Sequence, residues 1–303
     1  MTIALGGDVY GQSPVRETLD RGGNPLAAIA PLLQAADLAV VNLETAVGTS
    51  GEPRDKRFVF QADAKLLVAL RDGGVDAVSV ANNHSFDHGL DGFLETLDNV
   101  KAAGLRPFGG GRDAAEAYGA AVFEAGGVKI ALVGVAVIGP GEDDRAADTR
   151  PGTTNGRDRT ATLNAIRAAK KITPIVIAVV HWGAELAPCP RDYEMDLAAR
   201  MLDAGASAVI GAHPHVLQGI TFSEGKLVAY SVGNFVFAGL DDATRRTGVI
   251  TLTIAPDGAV MSYAWDPASI DDRGHPIPLT GTERTDAQRD LRELDPRGPA
   301  CEE

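Results

Sequence analysis

Ala206-Ser-Ala-Val-Ile-Gly-Ala-His-Pro-His-Val-Leu-Gln-Gly219 carries two signals in one short run. Residues 206–210 are mostly apolar and include β-branched side chains, the pattern of a buried strand. The residues after them are polar and turn-forming, so His213 and His215 emerge where a strand ends. Strand ends are where open α/β sheets hold their ligands. Two imidazoles two residues apart on a stiff, extended loop, with Pro214 between them, can converge on one point, and neutral imidazole is the commonest metal ligand. Taken alone the pair also reads as a surface turn with two incidental histidines, because His-x-His is a motif of modest specificity.

The other histidines remove that ambiguity. The chain has six, and His84, His88, His181, His213 and His215 all lie in short polar segments directly after apolar runs; Val75-Asp-Ala-Val-Ser-Val80 precedes the first pair and Ile175-Val-Ile-Ala-Val-Val180 precedes His181. Only His275, in Arg273-Gly-His-Pro276, stands apart. Two more candidate strands, Ile3-Ala-Leu-Gly-Gly-Asp8 and Leu38-Ala-Val-Val-Asn-Leu-Glu44, end in carboxylates. Five buried strands would thus bring Asp8, Glu44, Asn83 with His84, His181, and His213 with His215 to one rim. That mixture of oxygen and imidazole donors suits divalent zinc, manganese or iron.

Composition bounds the class. At 303 residues, 45% hydrophobic and 23% charged, the chain can build one large core and resembles neither a disordered nor a fibrous protein. Lys plus Arg number 28 against 41 Asp plus Glu, and the net charge of −13 speaks against a nucleic-acid or anionic-membrane surface. An acidic substrate would therefore need a local basic patch. Cys189 and Cys301 are too few and too far apart in sequence for a disulfide framework or a cysteine zinc site, which leans toward a reducing compartment. The start, Met1-Thr-Ile-Ala-Leu-Gly-Gly-Asp8, has no basic or long apolar segment and fits neither a signal peptide nor a membrane anchor. The expectation is a cytoplasmic protein.

Along the chain, strand and helix alternate, which implies parallel pairing. Strands are expected at residues 2–7, 38–43, 75–80, 174–180 and 206–210. Helices are expected at 24–36, 62–73, 91–104 (capped by Asp91), 157–171 and 193–205. Residues 121–124 and 128–135, joined across Gly126-Gly127, read as a hairpin and suggest a second sheet. Residues 48–57 form a polar loop carrying Arg54, Lys56 and Arg57, read either as a solvated charge run or as substrate contacts at the site entrance. Residues 139–155 are rich in Gly, Pro and Asp and read as a variable surface loop rather than a lid. Four further strands are expected between residues 219 and 265. From Pro267 onward the chain is polar and reads as a strap or frayed tail.

Gly7-Asp8, Asn42-Leu-Glu44, Ala81-Asn-Asn-His-Ser-Phe-Asp-His-Gly89, His181-Trp-Gly-Ala-Glu185, Gly211-Ala-His-Pro-His215 and Tyr230-Ser-Val-Gly-Asn-Phe235 together resemble the CapA family, the poly-gamma-glutamate capsule biosynthesis proteins. The motifs run in order over most of the chain, and together they are far more specific than any one alone. That family is in turn similar to the calcineurin-like metallophosphoesterases. The resemblance implies an α/β fold, a four-layered αββα sandwich with a two-metal site at strand ends. Residues 1–266 would form this domain and residues 267–303 a C-terminal strap or tail.

Carried over position by position, the resemblance makes Asp8 a ligand of the first metal, completed by His215, and Glu44 the bridging carboxylate. Asn83, His181 and His213 would serve the second metal. His84 takes the place of the general acid, with Asp87 or Glu185 to orient or complement it. The phosphoesterase pattern has a histidine two residues after the aspartate; here that position is Tyr10, which weakens the first site, so one or two ions (Mn, Zn or Fe) are implied. Asn234 would shape the site floor, unless it is a buried turn amide, and His88 reads as a structural donor. Lys56 and Arg57 are the candidate substrate contacts.

The leading functional expectation is a metal-dependent enzyme acting on a peptide, amide or glutamyl-type substrate. Capsule proteins of the family carry a membrane anchor for which this sequence shows no segment, so the expectation is an intracellular tailoring enzyme with no membrane or nucleic-acid partner. A metal-held carbonyl with bases on both faces can also exchange its α-proton, so peptide epimerisation is an alternative, with His275 as the second base if the tail folds over the site. A metallophosphoesterase and a non-catalytic polyglutamate-binding scaffold are the other readings.

Overall fold

A computed structural model describes residues 1–239, 241–298 and 301. Two twisted sheets lie face to face. The first has eight strands in the order Pro276–Pro278, Val260–Ile270, Arg246–Ile254, Thr2–Val9, Leu38–Leu43, Ala77–Ser79 and Arg106–Phe108, with Asn234–Val236 pairing onto the end of Thr2–Val9. The second has six, Ile220–Ser223, Lys226–Ala229, Ala208–Ala212, Ile175–His181, Val128–Ala136 and Ala121–Ala125. The middle of each sheet is parallel, as the strand–helix alternation requires.

The near-continuous apolar strands are explained by burial on both faces. Successive side chains point to opposite sides, so Ile3, Leu5, Leu38 and Val40 enter the layer between the sheets with Ile130, Leu132, Ile175 and Ile177. Their neighbours Ala4, Ala39 and Val41 face the outer helices through Leu66, Leu70, Phe93 and Leu97. On the other side Val133, Val176 and Ala178 pack against Ile166, Ala169, Leu197 and Met201. The result is the expected αββα stack. Each large aliphatic side chain buried in it contributes on the order of 1.5–3 kcal/mol.

Several local expectations change. The helix expected at 24–36 is only Ala30–Gln34, preceded by turns, and a separate short helix, Val15–Asp20, lies where none is expected. Asp91 is not a cap: the helix spans Gly89–Ala102 from His88, and Asp91 sits in its first turn, where a carboxylate still favours the helix dipole. The stretch from Pro267 is neither frayed nor separate at its start, because Val260–Ile270 runs through that point and helix Gly281–Glu293 follows. Leu291 of that helix is buried in the inter-sheet cluster, which the helix's low overall hydropathy conceals.

Cys189 and Cys301 form a disulfide across 112 residues, with Cα atoms 5.5 Å apart. This corrects the expectation that the two cysteines are too far apart in sequence to be bridged: separation along the chain says nothing about separation in space once residue 301 is brought back to residue 189. No helix among the described residues is long and apolar enough to cross a membrane.

Candidate metal centre

The six donor candidates come from both sheets. Asp8, Glu44 and Asn83 follow the parallel strands of the first, and His181, His213 and His215 follow those of the second, so their side chains meet at the common rim. Asp8 is fully buried at the end of its strand, in register with Asn42 on one side and Asn234 on the other. Gly7 makes this possible: a Cβ there would lie 1.9 Å from the Gly233 carbonyl oxygen, so only glycine lets the Asn234 strand close in. Asn42 Nδ2 donates to Asp8 Oδ1 at 2.8 Å, and the His213 amide donates to Oδ2 at 3.2 Å. Burial alone would raise the Asp8 carboxyl, but hydrogen bonding and charge from His215, with a further hydrogen bond from Asn42, hold it at about 2.

Glu44 is the decisive residue. It is fully buried, and neither carboxylate oxygen accepts a hydrogen bond among the described residues. Burial, reinforced by the charge of Asp8, pushes its carboxyl up to about 8. His181 Nε2 lies 3.3 Å away, yet burial drives that imidazole down to about 3, so it is neutral and gives no counter-charge. The same Nε2 lies 2.8 Å from Asn83 Oδ1, and Nδ1 is 3.3 Å from Asn42 Nδ2.

The His213–His215 loop is not the extended segment expected. Both histidines adopt left-handed backbone, with φ of 96° and 60°, costly for non-glycine residues and characteristic of functional sites. This turn aims both rings inward. His213 is neutral, lowered to about 2 by burial and by the neighbouring histidines, and its buried Nδ1 has no partner among the described residues. His215 is the opposite. Burial would lower it, but Glu44, Asp8 and Asn234 outweigh burial and push it to about 10, which makes it the counter-charge beside Asp8. Asn234 Oδ1 accepts from His215 Nδ1 at 2.9 Å, making Asn234 the residue that orients this ring.

Donor atoms of Glu44, His213 and His215 all lie within 4.8 Å of one another. A buried carboxyl group and a buried imidazole nitrogen, both without hydrogen-bond partners among the described residues, on two of three side chains whose donor atoms lie this close together, fit a divalent cation. Asn83, His181 and Asp8 adjoin this group. Tyr10 does not: its hydroxyl donates to Gln12 Oε1 at 3.1 Å and its ring stacks on Phe237 with centroids 4.9 Å apart.

His84 sits beside the donors. Its Nδ1 donates to Asp87 Oδ2 at 2.6 Å, its ring stacks on Phe60 at 4.0 Å, and its backbone amide donates to Asn82 Oδ1 at 3.0 Å. Asn82 also donates to Asn42 Oδ1 and the Leu43 carbonyl, and Ser85 Oγ donates to the Val80 carbonyl. Asn42, Asn82 and Ser85 thus brace the site, roles the sequence reading does not assign although all three lie in its quoted motifs. Amides packed beside predicted ligands were the available signal.

Other candidates are placed differently. Asp87, not Glu185, orients His84; Glu185 is exposed and reaches His181 only through its charge. His275 is not brought to the donors, because its Nε2 is taken up by Thr18 Oγ1 at 2.9 Å. Arg57 stacks over exposed Phe58 at 4.8 Å and is absent from the cleft beside Asn83. His88 Nδ1 faces the Gly51 carbonyl at 3.4 Å, as befits a structural donor.

That cleft, about 370 Å³, lies between Arg54 and Lys56 on one side and Gly139, Pro140, Gly141 and Asp144 on the other. Residues 139–155 therefore form a wall of the cleft rather than only a variable loop. They are held by Arg54–Asp144 at 2.7 Å and by buried Arg145, which donates to the Ala136 and Thr154 carbonyls. A larger cleft of about 760 Å³, bounded by Asp76, Lys101 and Glu116, includes none of the donors.

Comparison with known proteins agrees with this geometry. The chain is similar to the PGA biosynthesis protein CapA of Bacillus subtilis (strain 168), 30% identical over 233 residues that cover 76% of this chain and 61% of that one. It therefore spans less than two thirds of that relative's length. The capsule biosynthesis protein CapA of Bacillus anthracis is 27% identical over 308 residues, covering 97% and 72%. The crystal structure of a 5'-nucleotidase precursor from Thermus thermophilus superposes with a TM-score of 0.53 over 97% of this chain and 58% of that one, at 14% identity. This likeness places the sandwich among metallophosphoesterase-type folds. The model of the family described as bacterial capsule synthesis protein PGA_cap matches residues 2–239, a span that includes every donor, and the chain belongs to that family, the CapA proteins.

Proposed function

We propose that this protein is a metal-dependent hydrolase acting on a carboxylate-bearing amide or peptide of the glutamyl type. The observation that carries the proposal is Glu44, a buried carboxylate without a hydrogen bond beside the unpartnered nitrogen of His213. Glu44, His213 and His215 would hold the ion, with Asn83, His181 and Asp8 around it. When bound, a divalent ion supplies Lewis acidity toward a carbonyl or phosphoryl oxygen and makes water a stronger acid.

The chain's own residues do the rest. Asp87 fixes His84 through Nδ1, which leaves Nε2 to hand a proton to the departing amine. Asn234 holds His215, and Asn42 holds both Asp8 and His181. Hydrolysis is favoured over epimerisation because the second base proposed for a two-base mechanism, His275, is engaged with Thr18. The Cys189–Cys301 disulfide favours an oxidising compartment over the cytoplasm.

Elemental analysis of the purified protein should find at least one divalent ion per chain. Mass spectrometry of γ-glutamyl peptides incubated in heavy-oxygen water should show one labelled oxygen in a cleaved product. Hydrogen exchange at carbon without cleavage would replace hydrolysis with epimerisation, and absence of metal would leave a binding scaffold.

Lys56 lines the cleft beside Asn83 and also supports the residues around His84. Its Nζ donates to the Asn83 carbonyl at 3.0 Å, lies 3.3 Å from His84 Nδ1 and pairs with fully buried Asp87. Removing it leaves a buried carboxylate short of a partner, at a typical cost of about 1–3 kcal/mol. Lys56→Ala is accordingly expected to lower kcat by roughly ten- to a hundredfold with a smaller change in KM. A rise in KM alone would return Lys56 to substrate binding.

A further inference from the structure

We propose that a cleft next to the donor set is a second anion site, one that takes the carboxylates of an acidic chain extending away from the metal centre. The cleft, about 410 Å³, is lined by Arg157, Arg159 and Arg191 with Ile138, Gly183 and Tyr193, and no carboxylate is in its lining among the described residues. On a chain of net charge −13, three arginines around one concavity are opposed to the general field.

Of the nearby carboxylate oxygens, all but one are engaged or set back; Glu194 Oε1, buried beneath Gly183, has no hydrogen-bond partner among the described residues. Asp196 pairs with Arg159 at 2.8 Å and with Arg200 at 2.9 Å, Asp158 accepts from the Ala161 amide as the cap of helix Arg159–Lys170, and Asp192 lies in the first turn of helix Asp192–Ala204. Glu194 is buried, with Oε2 accepting from the Arg191 amide at 3.0 Å. Arg157 and Arg191 make no ion pair among the described residues. Both helices begin at this cleft, so the positive ends of their dipoles add to the guanidiniums, and strands Val128–Ala136 and Ile175–His181 end there.

Continuity points to a chain rather than a small ion. Ile138 lines this cleft and Gly139 lines the one beside Asn83; consecutive Cα atoms are only about 3.8 Å apart. The two clefts thus adjoin at these residues; the one beside Asn83 is balanced in charge, Arg54 against Asp144 and Lys56 against Asp87, and the guanidiniums of Arg157 and Arg191 lie beyond it. Guanidinium forks match carboxylates in geometry as well as charge. The existence of the anion site stands on these observations; the identity of its ligand as an acidic chain rests on the function proposed above.

The test is binding of a γ-linked glutamate oligomer to the 303-residue chain, measured by calorimetry at low and high salt, with free glutamate and inorganic phosphate as competitors. The double variant Arg157→Glu/Arg191→Glu is expected to weaken oligomer binding at least about tenfold and to flatten its salt dependence. Arg157→Lys/Arg191→Lys, which keeps the charge and guards against misfolding, should retain most of the affinity. If the oligomer binds equally well to the charge-reversed variant, the inference is overturned, whatever the metal content and turnover prove to be. If phosphate binds the wild type as tightly as the oligomer, the site is a small-anion site and the chain assignment fails. If the oligomer's affinity falls as expected while no metal and no hydrolysis are found, the second site stands and the hydrolase does not.

Discussion

His84→Ala is expected to leave the metal in place and to lower kcat by roughly two to four orders of magnitude, the usual range for losing a general acid or base. The geometry around His84 motivates that expectation. His84 points its Nδ1 at Asp87, and its ring is stacked on Phe60 rather than directed among the donors of Glu44, His213 and His215. Asn83, its neighbour in sequence, is the residue that reaches His181. Asp87→Asn should act in the same direction but less strongly, because an amide oxygen can still accept from Nδ1 and hold the ring in place. Metal content measured beside kcat decides the matter. Loss of metal in His84→Ala would make the residue a support of the centre instead of its proton donor.

His213→Ala is expected to empty the centre and abolish turnover. The variant removes the one imidazole whose buried nitrogen has no other partner among the described residues, and losing a direct ligand should cost more than the ten- to a hundredfold in affinity typical of an outer-shell partner. A thermal readout checks this independently of activity. An ion present at a thousand times its Kd stabilises the folded state by about 4 kcal/mol, so a chelator should lower the Tm of the wild type by several degrees and leave that of His213→Ala unchanged. Equal chelator sensitivity in both proteins would exclude His213 as a ligand. Arg54→Ala provides a contrast, since Arg54 bridges to Asp144 at the cleft and its loss should not alter metal content.

Much of this architecture was readable from local pattern. Apolar runs of strand length with β-branched residues identified both sheets, and the glycine pair at 126–127 identified the hairpin now seen between Ala121–Ala125 and Val128–Ala136. Misreadings fell where local signals are weak. Asp91 looks like a cap, yet it lies in the first turn of a helix that begins at Gly89. The helix Gly281–Glu293 is polar on most of its surface and buries little beyond Leu291, so its periodicity barely registers.

Strand ends, and hence the residues that stand on them, follow from side-chain alternation and turn chemistry, which act over a few residues. That is why Asp8, Glu44, Asn83, His181, His213 and His215 could be nominated from the chain alone. How they face one another could not, because three of them hang from one sheet and three from the other, and the packing that joins the sheets is set by contacts between residues far apart in the chain. The same holds for electrostatics: Glu44 is drawn up and Asp8 down only because burial and the His215 charge act on them at close range. Folding likewise decided that Lys56 pairs with Asp87, that His275 turns to Thr18, that Tyr10 stacks on Phe237, and that Cys301 returns to Cys189. Each is a meeting between distant segments, governed by the direction in which a backbone leaves a strand or turn, and neither residue type nor spacing encodes that direction.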